Sequence, residues 1–177
     1  MSGLPWVWGP RPAAGPACGR SERIAWRSVL VRAQPEAVYR WVCQLRVAPY
    51  SYDWLDNWGR RSPRTLVPAA QEVSVGLTMM GIFTVTSVEP GRSVRMDLTD
   101  RGGLRLFGPL EVEYRTDPVA GGTLLCGRVV LGAAPGPAGR IRDEALIWGD
   151  LVMMRKQLRT LGSLAEAAAG GQVQAVR

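Results

Sequence analysis

The sequence contains no histidine, the residue that most often serves as a general base or metal ligand. This absence excludes catalytic triads with a histidine base and zinc or iron sites with histidine ligands. Any chemistry must therefore use carboxylates, tyrosines, thiols or arginines. We expect neither a metal nor an organic cofactor.

Cysteine is also scarce. The three cysteines, Cys18, Cys43 and Cys126, lie far apart and form no CxxC pair. This pattern favours neither a disulfide framework nor a zinc site, and it is typical of a reducing compartment. We therefore expect a cytoplasmic protein.

Long apolar runs are missing as well. Pro5, Pro10, Pro12 and Pro16 interrupt the start of the chain, and no segment has the roughly 20 apolar residues that cross a bilayer. We expect a soluble protein without a membrane span.

The chain has a net charge of +7, but its positive charge is almost entirely arginine, and Lys156 is the only lysine. Clustered cations would indicate nucleic acid or an anionic membrane as a partner. In the sequence, however, the cations are scattered. The predominance of arginine fits a compositional bias as well as it fits selection for phosphate contacts. Binding to nucleic acid is therefore the less favoured hypothesis.

The 177 residues suit one domain. Residues 1–22 are rich in proline, glycine and alanine, and they predict a flexible extension. Within it, Trp6 and Trp8 could dock on the domain or on a partner, although a disordered tail is the favoured alternative. We place the domain at 23–168 and a flexible tail at 169–177.

The domain begins with alternating residues that predict a strand from Arg23. Pro35 then stands at the first turn of a helix predicted over about 35–46. The aromatic segment 50–58 indicates a second short helix or an ordered loop.

Turn sequences at close intervals then predict a run of strands joined as antiparallel hairpins. The predicted strands cover about 80–88, 93–99, 104–116 and 123–133. A long helix over about 137–168 closes the domain, and Gly170 and Gly171 are expected to end it. Its apolar stripe comprises Ile147, Leu151, Met154, Leu158, Leu161 and Ala165.

This order of elements predicts an α+β fold in which a curved antiparallel sheet grips one long C-terminal helix. If the sheet curves more than one helix can fill, a cavity remains between the two.

Four segments resemble the START-like, or SRPBCC, superfamily in its polyketide cyclase/dehydrase-like branch. Segment 33–44 is similar to its "P-x-x-V-W/Y-x-W-hydrophobic-x-Q" run, and 50–57 matches its "YSYDWLDN" almost letter for letter. Segment 121–128 resembles its "G-G-T-R-L-x-x-R" strand, with Leu124 in place of the arginine, and 153–166 resembles its terminal helix.

The chain departs from this pattern before Tyr50, where the family's "G-x-G-R-A-G-W" is replaced by the shorter 46–49. The resemblance implies a helix-grip (Bet v 1-like) fold with a deep apolar cavity for lipids, sterols, hormones or polyketide intermediates. Some members of the superfamily catalyse cyclisation or dehydration and many only bind, so it implies no catalytic residue set.

The candidate catalytic residues are Asp53, Asp56, Tyr39 and Tyr114. A carboxylate desolvated beside Tyr52 could have a raised pKa suited to proton transfer. The alternative, which we favour, is that the two aspartates are surface or helix-capping groups.

The candidate ligand-binding residues are mostly soft, aromatic or aliphatic side chains, with one arginine. They are Tyr39, Trp41, Tyr52, Trp54, Phe83, Met96, Tyr114, Arg128, Trp148, Leu151 and Met154. Each could equally be plain core. Arg128 could anchor a ligand or pair with Glu111 or Glu113, and Asp150 could be a buried functional carboxylate or a surface residue at the helix edge, the alternative that we favour.

Three functions follow. The leading one is binding of a small hydrophobic, polyketide-like or lipid-like molecule in an internal cavity. The second is a cyclase or dehydratase that positions its substrate and moves a proton through aspartate or tyrosine. The third is a basic module that interacts with nucleic acid.

Overall fold

The computed structural model describes residues 4–10, 22–51, 61–132 and 136–175. Within these ranges the strands are β1 (Val7–Trp8), β2 (Glu22–Val31), β3 (Thr78–Met79), β4 (Phe83–Glu89), β5 (Ser93–Leu98), β6 (Leu110–Val119) and β7 (Gly122–Gly132). The helices are α1 (Pro35–Cys43), α2 (Arg101–Phe107) and α3 (Gly136–Ala175), with single 3-10 turns at Gln44–Arg46 and Pro68–Ala70.

The described strands form one curved sheet in the order β1-β2-β7-β6-β5-β4-β3. Strand β1 pairs with β2 in parallel, and every other pairing is antiparallel. The predicted hairpins and the α+β class are therefore confirmed.

One face of this sheet packs under α3. In the register of the central strands, Arg27 of β2 lies opposite Gly127 of β7, which lies opposite Tyr114 of β6. Residues at alternate positions, such as Val129 and Val112, are buried on the same face. This alternation is the period of two that a strand imposes on its side chains.

Helix α3 buries the apolar stripe that its spacing predicts. Those residues are Ile147, Leu151, Met154, Leu158, Leu161 and Ala165, and all are buried. The helix approaches the sheet most closely at Gly127, where an added Cβ would overlap the sulfur of Met154. The glycine lets the helix come close to the strand, and Met154 fills the space between them.

Helix α1 starts at Pro35, whose missing N–H is no loss in a first turn. Its apolar side buries Val38, Trp41 and Val42 against the core. Trp41 makes an edge-to-face contact with Tyr50, with ring centroids 6.3 Å apart. The predicted helix over 35–46 is confirmed, with its last turn tightened to a 3-10 turn.

The strand predicted over 104–116 is wrong in its first part. Residues Arg101–Phe107 form α2, and β6 begins only at Leu110. Asp100 caps α2 by accepting a hydrogen bond from the Gly103 backbone N–H at 2.8 Å, and Gly108, with φ of 73°, ends it. The sequence interpretation took this cap for a hairpin turn.

The end predicted for the last helix is also wrong. Helix α3 continues through Gly170 and Gly171 to Ala175. A glycine inside a helix lowers stability by about 1 kcal/mol relative to alanine, but it terminates a helix only where the backbone turns left-handed. Neither glycine has a positive φ.

The N-terminal segment docks on the domain through Trp6, which is 5% exposed. Its indole Nε1 donates to Glu144 Oε1 at 3.1 Å, and the Arg23 guanidinium lies 4.3 Å from its ring. Trp8 lies beneath Arg155 and Arg159. For Trp6 the structure shows docking on the domain rather than the disordered tail that we favoured.

Among the described ranges, no helix is long and apolar enough to cross a membrane. Of the aromatic segment 50–58, only Tyr50 and Ser51 belong to the residues that the structure describes. The secondary structure predicted for the remainder lies outside it.

The Asp100 cap gives the first testable prediction. Asp100→Ala removes the acceptor for Gly103 N–H, so we expect the free energy of unfolding to fall by about 1 kcal/mol. Asp100→Asn keeps an acceptor and should lose far less. Urea unfolding and amide exchange across 104–107 measure both variants, and equal behaviour of the two would contradict the capping role.

Candidate functional site

Two groups of residues stand out from the apolar core. The first, here the interior polar cluster, consists of Arg27, Tyr114, Asp150 and Gln157, between the sheet and α3. The second is a pocket beside the C-terminal half of α3, here called the cleft pocket.

Arg27 is fully buried on the face of β2 that looks towards α3. Its Nη1 donates to the carbonyls of Trp6 at 3.1 Å and Trp26 at 3.0 Å, and its Nη2 donates to the Ile147 carbonyl at 3.2 Å. Nη2 also lies 3.1 Å from Asp150 Oδ2. These partners satisfy both terminal nitrogens and so offset the cost of burying the charge, whereas Nε of Arg27 has no hydrogen-bond partner among the described residues.

Asp150 forms this ion pair from α3, and its side chain is 23% exposed. Burial raises the pKa of Asp150 to about 6, and the nearby Arg27 opposes the shift. The residue is half-buried, so it lies between the buried carboxylate and the surface position at the helix edge that the sequence left as alternatives. The carboxylate lies at the boundary between solvent and the buried arginine.

Tyr114 and Gln157 link the sheet, the helix and a loop. The Tyr114 hydroxyl donates to Gln157 Oε1 at 2.5 Å, and Gln157 Nε2 donates to the Pro49 carbonyl at 2.5 Å. Burial, with a further contribution from the charge of Asp150, raises the pKa of Tyr114 well above its ordinary value. The phenol therefore stays protonated near neutral pH and keeps the proton that it donates to Gln157 Oε1.

Two residues with unusual backbone conformations adjoin Gln157. Tyr50 has φ of 56° and Met80 has φ of 50°, a region that side chains other than glycine rarely occupy. Tyr50 follows Pro49, and the Met80 sulfur lies 3.6 Å from Gln157 Nε2. Such outliers cluster at functional sites, where the surrounding packing maintains them.

The cleft pocket lies beyond this link and has a volume of about 730 Å³. Its described lining comes from the loop after α1, from residues 61–64 and from the C-terminal half of α3. These residues are Tyr50, Ser51, Arg61, Ser62, Arg64, Lys156, Arg159, Thr160, Ser163, Leu164 and Ala167.

Four cations and no described carboxylate line this pocket, which makes it strongly basic. The sequence interpretation treated the positive charges as scattered, and for these four residues that was wrong. A smaller groove of about 440 Å³ adjoins it at Arg159 and Ser163, along β2 and the N-terminal segment.

Most of the predicted ligand-binding residues within the described ranges are core residues. Tyr39, Trp41, Phe83, Met96, Tyr114, Leu151 and Met154 are all buried, whereas Trp148 is 48% exposed. The described linings of the two pockets include none of them. Their role in binding stays a prediction.

Tyr39 packs beside Cys43 at the end of α1. Burial, reinforced by Cys43, raises the pKa of Tyr39 far above its ordinary value, and burial raises the pKa of the Cys43 thiol to about 11. Both groups are therefore protonated at neutral pH, and neither is poised as a base or nucleophile.

Arg128 lies on the outer face of the sheet, where its Nε donates to Glu113 Oε2 at 2.9 Å and its Nη2 donates to Glu111. Of the two alternatives for this residue, the structure shows the ion pairs. The remaining predicted site residues, Tyr52, Asp53, Trp54 and Asp56, lie outside the described residues.

The sequence interpretation missed Arg27, Gln157 and Gln44. An arginine at an inward position of an alternating strand was the available signal for Arg27. Gln44 is the last residue of the resemblance in 33–44, and its side-chain amide is buried without a hydrogen-bond partner among the residues that the structure describes. Within the described chain, no group of three or more metal-binding side chains is present.

Comparison with solved structures shows which known folds this protein resembles. No family model matches the sequence, and no curated protein matches it. Protein MLL2253 of Mesorhizobium loti has a similar structure, with a TM-score of 0.54 and 17% identity, over 82% of this chain and 98% of that one.

Two further structures are similar. The di-domain ARO/CYC StfQ of the steffimycin biosynthetic pathway has a TM-score of 0.54 at 14% identity over 84% of this chain, which spans 52% of StfQ. A norcoclaurine synthase of Thalictrum flavum has a TM-score of 0.51 at 13% identity, over 86% of this chain and 99% of that one.

These likenesses, together with the sheet and α3, show a helix-grip α+β protein. More narrowly, the fold is the one seen in the polyketide aromatase/cyclase and norcoclaurine synthase structures. At such identities the likeness concerns the fold.

The Tyr114–Gln157 link yields a second prediction. Gln157→Leu leaves the buried Tyr114 hydroxyl without its acceptor, so we expect a loss of about 1–3 kcal/mol in unfolding free energy. Tyr114→Phe combined with Gln157→Leu removes both partners and should lose less than Gln157→Leu alone. Denaturant unfolding measures the cycle, and additive losses would contradict the link.

Asp150 yields a third prediction. The folded protein binds this proton more tightly than the unfolded chain, so the resulting stability is complete below about pH 4 and is lost as pH rises through 6. Between pH 4 and 7 the stability of the wild type should fall by about 2–3 kcal/mol relative to Asp150→Asn. A constant difference across this range would contradict the raised pKa.

Proposed function

We propose that the protein binds a small hydrophobic molecule of lipid-like or polyketide-like character, and that the cleft pocket receives it. The observation that carries this proposal is a concavity of about 730 Å³ whose apolar surface comes from Tyr50, Leu164 and Ala167. Pockets for small ligands in proteins occupy roughly 300–1,000 Å³.

The packing of α3 supports this location rather than the centre of the grip. Met154 fills the space above Gly127, and Gln157 joins Tyr114 to Pro49. C-terminal to Gln157, residues of α3 such as Thr160 and Leu164 line the pocket. The ligand would lie at the end of the grip, between α3 and residues 61–64.

The class of ligand is supported by the fold. StfQ is described as an ARO/CYC, and a Streptomyces sp. R1128 protein with a TM-score of 0.51 at 16% identity is described as an aromatase/cyclase. The proposed setting is the cytoplasm, which is consistent with the free, buried thiols of Cys43 and Cys126.

A cyclase or dehydratase without metal or cofactor is the second candidate. The observation that favours it is Asp150, because a carboxyl with a pKa near 6 can donate or accept a proton near neutral pH. However, Asp150 lies six residues before Lys156 on α3, roughly 9 Å along the helix axis. A substrate in the pocket would have to pass the Gln157–Pro49 link to reach it, so binding is the better-supported function.

A pocket-filling variant tests the proposed function. Ala167→Trp places a bulky side chain into the pocket, so we expect the affinity for Nile red, an uncharged apolar fluorophore, to fall about tenfold or more. Ala168 is exposed on the same helix and lies outside both described linings.

Ala168→Trp is therefore the matched control, and it should bind Nile red as the wild type does. Fluorescence titration measures both variants. Unsaturable binding by the wild type, or equal affinities of the two variants, would contradict the location in the cleft pocket.

A further inference from the structure

The four cations of the cleft pocket come from two separate parts of the chain. Arg61 and Arg64 belong to the segment that follows the aromatic region. Lys156 and Arg159 are three residues apart on α3, so they project from the same helix face. All four side chains are exposed.

These cations are not neutralised by the described protein. Arg61, Arg64 and Lys156 take part in no ion pair with any described residue, and Arg159 lies 5.2 Å from the Trp8 ring. The arginines of the sheet differ. Each arginine of the described strands forms an ion pair with a carboxylate. These arginines are Arg23, Arg27, Arg95, Arg115 and Arg128.

Like charges gathered around one concavity raise its positive potential and attract a counter-ion. Guanidinium groups match the geometry of carboxylate and phosphate, and charge-assisted hydrogen bonds to these groups are strong. The hydroxyls of Ser163 and Ser62 line the same pocket as further polar groups.

We propose, resting on the proposed function, that the ligand of the cleft pocket is an anionic amphiphile. Its carboxylate or phosphate group binds among Arg61, Arg64, Lys156 and Arg159. Its apolar body lies against Tyr50, Leu164 and Ala167. The cations thus select the charge of the ligand and fix its orientation.

The shape of the site favours a small molecule over nucleic acid. Nucleic-acid surfaces extend their positive charge along a groove or a face to follow successive phosphates. Here the four cations converge on one pocket that also has an apolar wall, which suits a single charged group with an attached hydrocarbon.

Three ten-carbon probes test the proposal: decanoate, decyl phosphate and decanol. Calorimetric titration of the full chain, below the critical micelle concentrations, should show that one or both anions bind about tenfold or more tightly than decanol. The preference should weaken as salt is raised, because salt screens exposed charges. The tighter anion identifies the group that the pocket recognises.

Charge-removing variants locate the effect. Arg61→Gln with Arg64→Gln, and Lys156→Gln with Arg159→Gln, should each lower the affinity for the preferred anion about tenfold and lower the affinity for decanol far less. The control is Arg101→Gln with Arg105→Gln on α2, which removes the same charge at exposed positions outside the pocket.

The outcomes separate the two proposals. Equal binding of all three probes would preserve ligand binding but overturn the anionic preference. No binding of any probe, or of Nile red, would overturn the proposed function and the inference together. If the pocket variants weaken binding of a single-stranded oligonucleotide and leave both anions unaffected, the basic pocket serves nucleic acid and the inference is overturned.

Discussion

The buried guanidinium of Arg27 is the constraint on which the rest of the structure depends. A charge in the interior is destabilising unless partners surround it, and Arg27 finds them on three elements. The Trp6 carbonyl fixes the N-terminal segment beside β2, while Ile147 and Asp150 fix α3 above the sheet. Removing the arginine would leave Asp150 without its counter-ion and would weaken both attachments, which would then rest on the Trp26 N–H bond to the Trp6 carbonyl and on the apolar stripe of α3.

The position of the pocket follows from how α3 meets the sheet. At the level of Arg27, Gly127 and Tyr114, the helix comes close to the strands and its side chains fill the interior. One turn further on, Gln157 spans from Tyr114 to Pro49 and closes this level. The next turns, which carry Thr160 and Leu164, face residues 61–64 across open volume. The grip is therefore packed at its centre and open at one end.

The fold could be predicted from local patterns, because alternation, turn sequences and the apolar stripe of α3 are encoded within short stretches. Helix α2 was not predicted, because Leu104 and Leu106 stand on either side of Arg105 as they would in an alternating strand. The docking of Trp6 could not be read from the sequence, since its partner Glu144 lies 138 residues away. The basic pocket could not be predicted for the same reason, because the pairs 61/64 and 156/159 come together only in the tertiary fold.

The distribution of charge connects the packing to the proposed ligand. On the outer face of the sheet, Arg128 and Arg95 are matched by Glu111 and Glu113, so that face adds little net charge. In the interior, Arg27 is matched by Asp150. Part of the excess behind the net charge of +7 is therefore concentrated at the open end of the grip. An anionic amphiphile approaching this end would meet the positive potential first and the apolar wall second, which sets both its selection and its orientation.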